Sequence, residues 1–231
     1  MCFQARPQAV TRLQASISLL KLKQNNISFG FSRRLVKNQI IKESYYYKNI
    51  LEICASIHQT IDSEISDENN NQNSLLSESR NKLLDLLEKN LDNSLRSIFN
   101  LLSIIYNEND VEMTFVGIQS EIKDARLNSV EFLDNMLRRN IKVKIMPIIE
   151  HYVIENNHVD FTDIEINILS EKKYLEKLIK IGSSEIRFLA LQIVSESKNK
   201  EYLPVLLPIK KYRNQNVKQL ASDTYTMLKK L

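Results

Sequence analysis

Apolar residues recur at three- and four-residue steps along nearly the whole of this chain, and that spacing restricts it to helices that each bury one face. Val10, Leu13, Ile17 and Leu20 read as the buried face of a first helix within 8–23. A second stretch, 33–59, carries Val36, Ile40, Ile41, Tyr47, Ile50, Leu51, Cys54 and Ile57 in the same period and is expected as two helices that break near Ser44. A third, 75–106, presents Leu76, Leu83, Leu84, Leu87, Leu91, Leu95, Ile98, Phe99, Leu102 and Ile105, with a junction expected at 91–94, where Asp92, Asn93 and Ser94 offer N-caps. With only 3 Gly and 4 Pro in 231 residues, the chain lacks the turn residues that a sheet-rich fold would need repeatedly. The expected class is therefore all-α, with 43% hydrophobic residues to supply the core.

Punctuation refines this reading. Asp110 is the expected N-cap of a short helix through Val111, Phe115 and Ile118, and Asp124 that of a longer one ending near Leu137. Pro147 is expected to interrupt the apolar run 141–153. Ser170 begins a segment in which Tyr174, Leu175, Leu178 and Ile179 share a face, and Gly182 falls where that helix should end. Residues 62–74, DSEISDENNNQNS, are acidic and Asn-rich with almost nothing to bury, the composition of a linker. The expected organisation is an N-terminal helical segment at 1–61, a linker at 62–74 and helical repeats over 75–231.

Four segments align without gaps on a basic residue followed three positions later by a small one and seven later by a bulky one: Arg12, Ala15 and Leu19; Arg126, Ser129 and Leu133; Arg187, Ala190 and Val194; Lys218, Ala221 and Tyr225. Positions i+3 and i+7 lie on one helical face, so the small residue permits close approach of a neighbouring helix while the large one fills the core. Between Arg187 and Lys218 lie 201–211, whose Tyr202, Leu203, Leu206, Leu207 and Ile209 mark an intervening helix. A recurring unit of this size predicts a solenoid whose members bury their faces by stacking.

The starts Ile186-Arg187-Phe188-Leu189-Ala190 and Val217-Lys218-Gln219-Leu220-Ala221 resemble HEAT repeats. Within 96–150, the strings RSIFNLLSIIY, DVEMTFVGIQSE, ARLNSVEFLDNML and KIMPIIE resemble the helical-repeat tail that follows the membrane part of some bacterial nucleotide (ATP/ADP) carrier-like proteins, EFLDN being the most distinctive part. The resemblance implies a HEAT-like α-solenoid of stacked antiparallel helix pairs, interrupted by the polar linker, that serves as a cytosolic appendage to a transporter-type protein. It does not imply transport by this chain, which lacks the spans that would bind nucleotide. A start inside a repeat-like helix fits a truncated or split reading frame.

The remaining features point to a binding surface without catalytic, cofactor or metal residues. Cys2 and Cys54 are the only cysteines, too few for a disulfide framework, and fit a reducing, cytoplasmic setting, at the cytoplasmic face of the membrane if the chain accompanies a carrier. The N-terminus has no apolar h-region, and apolar runs such as 98–105 and 145–149 are far shorter than a spanning helix requires. His58, His151 and His158 do not complete a metal-ligand set and read as surface histidines. Glu131 and Asp134, one turn apart, could be imagined as an acid/base pair, but Asp134 is better placed to pair with Arg138. Tyr45, Tyr46 and Tyr47 lie among Arg33, Arg34, Lys37, Lys42 and Lys48, a mixture that can stack bases and neutralise phosphates, although at least one ring is expected in the core.

The net charge of +4 comes from 32 basic and 28 acidic residues, interspersed rather than gathered into the stripe a nucleic-acid surface needs. Basic clusters Arg138, Arg139, Lys142, Lys144 and Lys210, Lys211, Arg213 fall near helix ends, where positive charge is favourable in its own right. The expected partner is thus a protein or the membrane part of a transporter. A nucleic-acid-binding helical repeat is the alternative, and an enzyme such as an alkylated-base glycosylase on the same scaffold the weakest reading, because the chain has no Trp to line a base pocket.

Overall fold

A computed structural model describes residues 8–25, 30–66, 74–155, 166–207 and 214–231. Among them the secondary structure is helical throughout: α1 (Ala9–Asn25), α2 (Arg33–Ser66), α3 (Ser74–Ile105), α4 (Glu108–Ile118), α5 (Lys123–Met136), α6 (Arg139–Glu155), α7 (Glu171–Ile181), α8 (Ser184–Ser197), a 3-10 turn at Lys200–Tyr202, α9 (Leu203–Leu206) and α10 (Gln215–Lys230). The chain forms two compact units, one from Ala9–Leu51 with Asn90–Ile166, the other from Met1–Gln8, Glu52–Lys89 and Asn167–Leu231. The long helices α2 and α3 contribute a segment to each.

Neither expected mid-helix break occurs. Ser44 lies inside α2, buried, with its hydroxyl donating to the Ile41 carbonyl at 2.8 Å. A serine satisfied by its own preceding turn does not compete with the helix. In α3 the residues Asp92, Asn93 and Ser94 are equally interior; the buried Ser94 hydroxyl accepts a hydrogen bond from Arg12 Nη2 at 3.1 Å instead of capping. Pro147 also sits within a continuous helix, α6. Its missing N–H would have bonded the carbonyl of Val143, an exposed residue, so the ladder is opened on the outer side of the helix. Of the expected linker, 62–66 complete α2 and Ser74 opens α3, while 67–73 lie outside the described residues.

Caps place the shorter helices. Asn107, not Asp110, is the N-cap of α4, its side chain accepting from the Asp110 amide at 3.2 Å. Ile122 precedes α5 without a side-chain cap, and Asp124 lies in the first turn, where its charge suits the positive end of the helix dipole. Ser170 precedes α7, and Ser183 caps α8 through the Ile186 amide at 3.3 Å. Gly182 does close α7, but with φ −64 it is not in the left-handed region. Glycine is required there for space: a Cβ would lie 2.5 Å from the Leu178 carbonyl oxygen and 2.7 Å from Ile186 Cγ2.

In the first unit, α4 packs on α5 and α5 on α6. The core is assembled from Ile40 and Tyr47 of α2, Ile98 and Leu102 of α3, Val111 and Ile118 of α4, Leu133 of α5 and Ile145 and Ile149 of α6. Phe99 and Phe115 meet with ring centroids 4.8 Å apart at 58°, and the Arg96 guanidinium lies 4.5 Å over the Phe115 ring. The α4–α5 contact is close enough that a Cβ on Gly117 would overlap Ser129 Oγ, which is itself held by the Ala125 carbonyl at 2.8 Å. Gly117→Ala should therefore destabilise by about 1–3 kcal/mol despite the better helix propensity of alanine. Part of that loss should vanish in a Ser129→Ala background, which removes Oγ but leaves the Cβ 3.0 Å from the added carbon, as urea unfolding of the two single variants and the double would measure. Equal losses in both backgrounds would mean the helices do not meet there.

In the second unit, α7 packs on α8 and α8 on α10, with α9 also against α10. Tyr174, Leu175, Leu178 and Ile179 of α7 are all buried, as the sequence periodicity predicts. They pack in a core with Leu83 and Leu87 of α3, Ile193 and Val194 of α8 and Val217 and Leu228 of α10.

Candidate functional site

The four repeated basic residues share a register that the alignment did not reveal: each is the fourth residue of its helix, Arg12 in α1, Arg126 in α5, Arg187 in α8 and Lys218 in α10. In two of them the tertiary role is related. Arg126, 5% exposed, donates from Nη1 to the carbonyls of Ser120 and Glu121 at 2.7 and 2.9 Å, in the turn that leaves α4. Arg187 donates from Nε to the Ile179 carbonyl at 3.0 Å and from Nη2 to the Lys180 carbonyl at 3.2 Å, at the end of α7. An arginine one turn into the second helix of a pair thus ties down the chain before it: Arg187 satisfies carbonyls of the last turn of α7 and opposes the negative end of its dipole, whereas Arg126 holds the turn between α4 and α5. Lys218 keeps the register but is exposed, and 208–213 lie outside the described residues.

The small and large positions follow the same pattern in α8, where Ala190 and Val194 are fully buried. In α5 Ser129 makes the close approach to Gly117 and Leu133 is fully buried; in α10 Ala221 is buried while Tyr225 is only half-buried. The first copy departs from the pattern. Ala15 is exposed, and α1 buries Ala9 and Ser16 instead of the expected stripe, leaving Val10 53% exposed and Leu13, Ile17 and Leu20 half-buried. Polar partners set this orientation. Arg12 Nε meets Glu43 Oε1 at 2.6 Å, its guanidinium lies 3.8 Å over the Tyr46 ring, and Asn100 Nδ2 donates to Ser16 Oγ at 3.0 Å. Farther along, Lys23 Nζ donates to the Ser103 carbonyl at 2.5 Å.

A second buried charge pair lies in the other unit. Arg80 is 2% exposed, and its Nε donates to Glu171 Oε1 at 2.8 Å; the Tyr174 hydroxyl donates to the same oxygen at 3.2 Å. Burial, with the negative charge of Glu171 adding to it, pushes the Tyr202 phenol up to about 12 and the Tyr174 phenol further still. Both side chains therefore act as protonated phenols across the ordinary pH range. Because the fold retains protons that an unfolded chain would release near pH 10, the stability these groups carry is present below pH 10 and is lost as pH rises from there toward 12. In a phenolate absorbance titration of the nine tyrosines, the last to ionise should do so together with loss of helicity, and Tyr202→Phe should raise the midpoint of that loss. All nine ionising near pH 10 with ellipticity intact would contradict this account.

The other residues singled out in the sequence are not brought together. His58 is exposed, its Nε2 3.6 Å from Glu88 Oε1. His151, expected at the surface, is 6% exposed and forms part of the core, because it lies on the inward face of α6 with Ile148. His158 lies outside the described residues. No cluster of three His, Cys, Asp or Glu suited to a metal occurs among the described residues. Glu131 is exposed; Asp134 pairs with Lys142 of α6 at 2.6 Å rather than with Arg138, since the next helix presents a nearer cation. Tyr47 is the core tyrosine of its run, Tyr46 lies under Arg12, and Tyr45 is 51% exposed with Lys144 Nζ 5.1 Å from its ring centroid.

Sequence reasoning passed over Arg80, Glu43 and Glu171. A signal was present for the first two. Arg80 falls on the apolar stripe of Leu76, Leu83, Leu84 and Leu87, and Glu43 on that of Val36, Ile40, Tyr47 and Ile50. A charged residue on such a stripe must find a partner inside, and each of these does. No described helix is long and apolar enough to cross a membrane. No family model matches this sequence, and neither the curated proteins nor the solved structures provide a match to it.

Proposed function

We propose that the chain is a helical-repeat interaction module with no chemistry of its own, a HEAT-like stack of helix pairs that recognises a protein partner by shape. The observation that supports this reading is the recurring arginine, Arg126 on the turn after α4 and Arg187 on the last turn of α7, each tying the second helix of a pair to the chain before it. Helix pairs of related construction are the elements from which solenoids generate extended binding surfaces. The two prominent buried ion pairs, Arg12 with Glu43 and Arg80 with Glu171, link helices to one another and so serve packing.

The likeness of 96–150 to the tail of nucleotide-carrier-like proteins supplies the partner in this proposal: the membrane part of such a carrier, with the chain on its cytosolic side. Purification of the tagged chain from its own cells in mild detergent tests it. The expected result is a carrier-type membrane protein recovered in near-equal amount, or the chain itself recovered as the end of one. Recovery of the chain alone, with no stoichiometric partner, would overturn the reading.

A further inference from the structure

Charges that alternate in the sequence need not alternate on the surface, and α2 is where they separate. Residues 33–51 contain Arg33, Arg34, Lys37, Lys42 and Lys48 and a single acidic residue, Glu43. That glutamate is 2% exposed and turned inward onto Arg12, so it contributes nothing to the outer face, which Glu52, half-buried and in line with Arg34, bounds at its far end. At about 100° per residue, Arg34, Tyr45, Asn38, Lys42 and Leu35 fall within about 100° of arc on the side of α2 opposite its buried residues. Two of these are large and apolar yet strongly exposed, Leu35 at 69% and Tyr45 at 51%, and Lys144 of α6 adds a further cation beside the Tyr45 ring.

We infer that this face of α2, with Lys144, is a docking surface for an anionic phospholipid bilayer. Unbalanced lysine and arginine are drawn to the negative surface of such a membrane, while a leucine and a tyrosine among them can enter the headgroup boundary. A nucleic acid fits less well. Sequence-tolerant binding of a single strand uses several open aromatic faces, whereas Tyr47 is in the core, Tyr46 is under Arg12 and Tyr45 already has Lys144 at its ring. Exposed Leu35 would also have no role there. The inference rests on the charge separation alone and holds whether or not the partner proposed above is a carrier.

Co-sedimentation of the full chain with vesicles tests it, using phosphatidylcholine alone and phosphatidylcholine with about 30% phosphatidylserine, in about 0.1 M salt. Binding is expected only to the anionic vesicles and should weaken with added salt. Each cation removed from the surface costs about fivefold, so Arg34→Glu/Lys42→Glu/Lys144→Glu should lower the partition coefficient by about a hundredfold or more. Lys89→Glu/Lys173→Glu/Lys200→Glu, which alters exposed residues elsewhere to the same net charge, should bind far better. Since the chain has no Trp, Tyr45→Trp places a single reporter in the surface, and its emission should shift to the blue on addition of anionic vesicles. Equal binding by the two triple variants, an unmoved emission spectrum, or tighter binding to a 20-nucleotide RNA than to the vesicles under the same conditions would each overturn the inference.

Discussion

Arg80→Ala should lower the stability of the protein by about 3–5 kcal/mol, a large part of the about 5–15 kcal/mol that holds a typical domain together. The guanidinium is 2% exposed and carries the Glu171 carboxylate through a 2.8 Å contact. Without it, the space left in the core is unfilled, and Glu171 and the Tyr174 hydroxyl lose the charge that organises them. Because Glu171 keeps 22% of its side chain in solvent, part of its charge can be rehydrated, so the lower end of the range is the better expectation. Arg80→Met/Glu171→Gln removes both charges while keeping much of the volume, and should lie far closer to the parent than Arg80→Ala. Lys82→Ala is the contrast: its pair with Glu78 is 54% and 59% exposed, and its loss should leave the unfolding midpoint essentially unchanged. Urea unfolding followed by far-UV ellipticity measures all three; a loss of under about 1 kcal/mol for Arg80→Ala would mean the pair does not organise the core.

Arg12→Ala should be as severe for a different reason. Glu43 is 2% exposed, one of its carboxylate oxygens is held by Arg12, and the other, Oε2, has no hydrogen-bond partner among the described residues. Removing the arginine would leave a buried carboxylate bare, a change that costs about 3–5 kcal/mol. It would also take away the cation over Tyr46 and the hydrogen bond to Ser94. As α1 is fastened mainly by polar contacts, its amides should lose protection in hydrogen exchange. Those of α7, α8 and α10, in the other unit, should keep theirs. Arg12→Leu/Glu43→Leu should restore much of the loss, because a pair of apolar side chains needs no charge partner. Unchanged protection across Ala9–Asn25 in Arg12→Ala would refute the idea that this pair docks the helix.

Why these residues went unread in the sequence follows from how periodicity works. A hydrophobic stripe locates the inward face of a helix, and it did so for α7, where all four expected residues are buried. It is silent about which charged residue on that face will find a counter-charge, because the partner is far away in sequence: 31 positions separate Arg12 from Glu43 and 91 separate Arg80 from Glu171. The same limit explains the α1 face. Val10, Leu13, Ile17 and Leu20 are periodic, yet Arg12 and Ser16 had specific acceptors and donors waiting on α2 and α3, and those decided the rotation. Breaks were over-read for a related reason. Ser44, Ser94 and Pro147 disfavour helix locally, but packing of long apolar stripes outweighs about 1 kcal/mol per polar residue, and even the larger penalty of a proline whose lost bond faces outward.

What the amino-acid order determined by itself was the all-helical class, most of the buried positions, and a repeated basic, small and large pattern. Each of these depends on residues within a turn or two of one another. Only the tertiary structure decided that Arg187 closes the helix before it while Arg126 holds a turn, and that Glu43 turns inward and leaves residues 33–51 of α2 with a one-signed outer face. Both outcomes depend on contacts between helices, where a single buried counter-charge can outweigh the preference of an entire local segment.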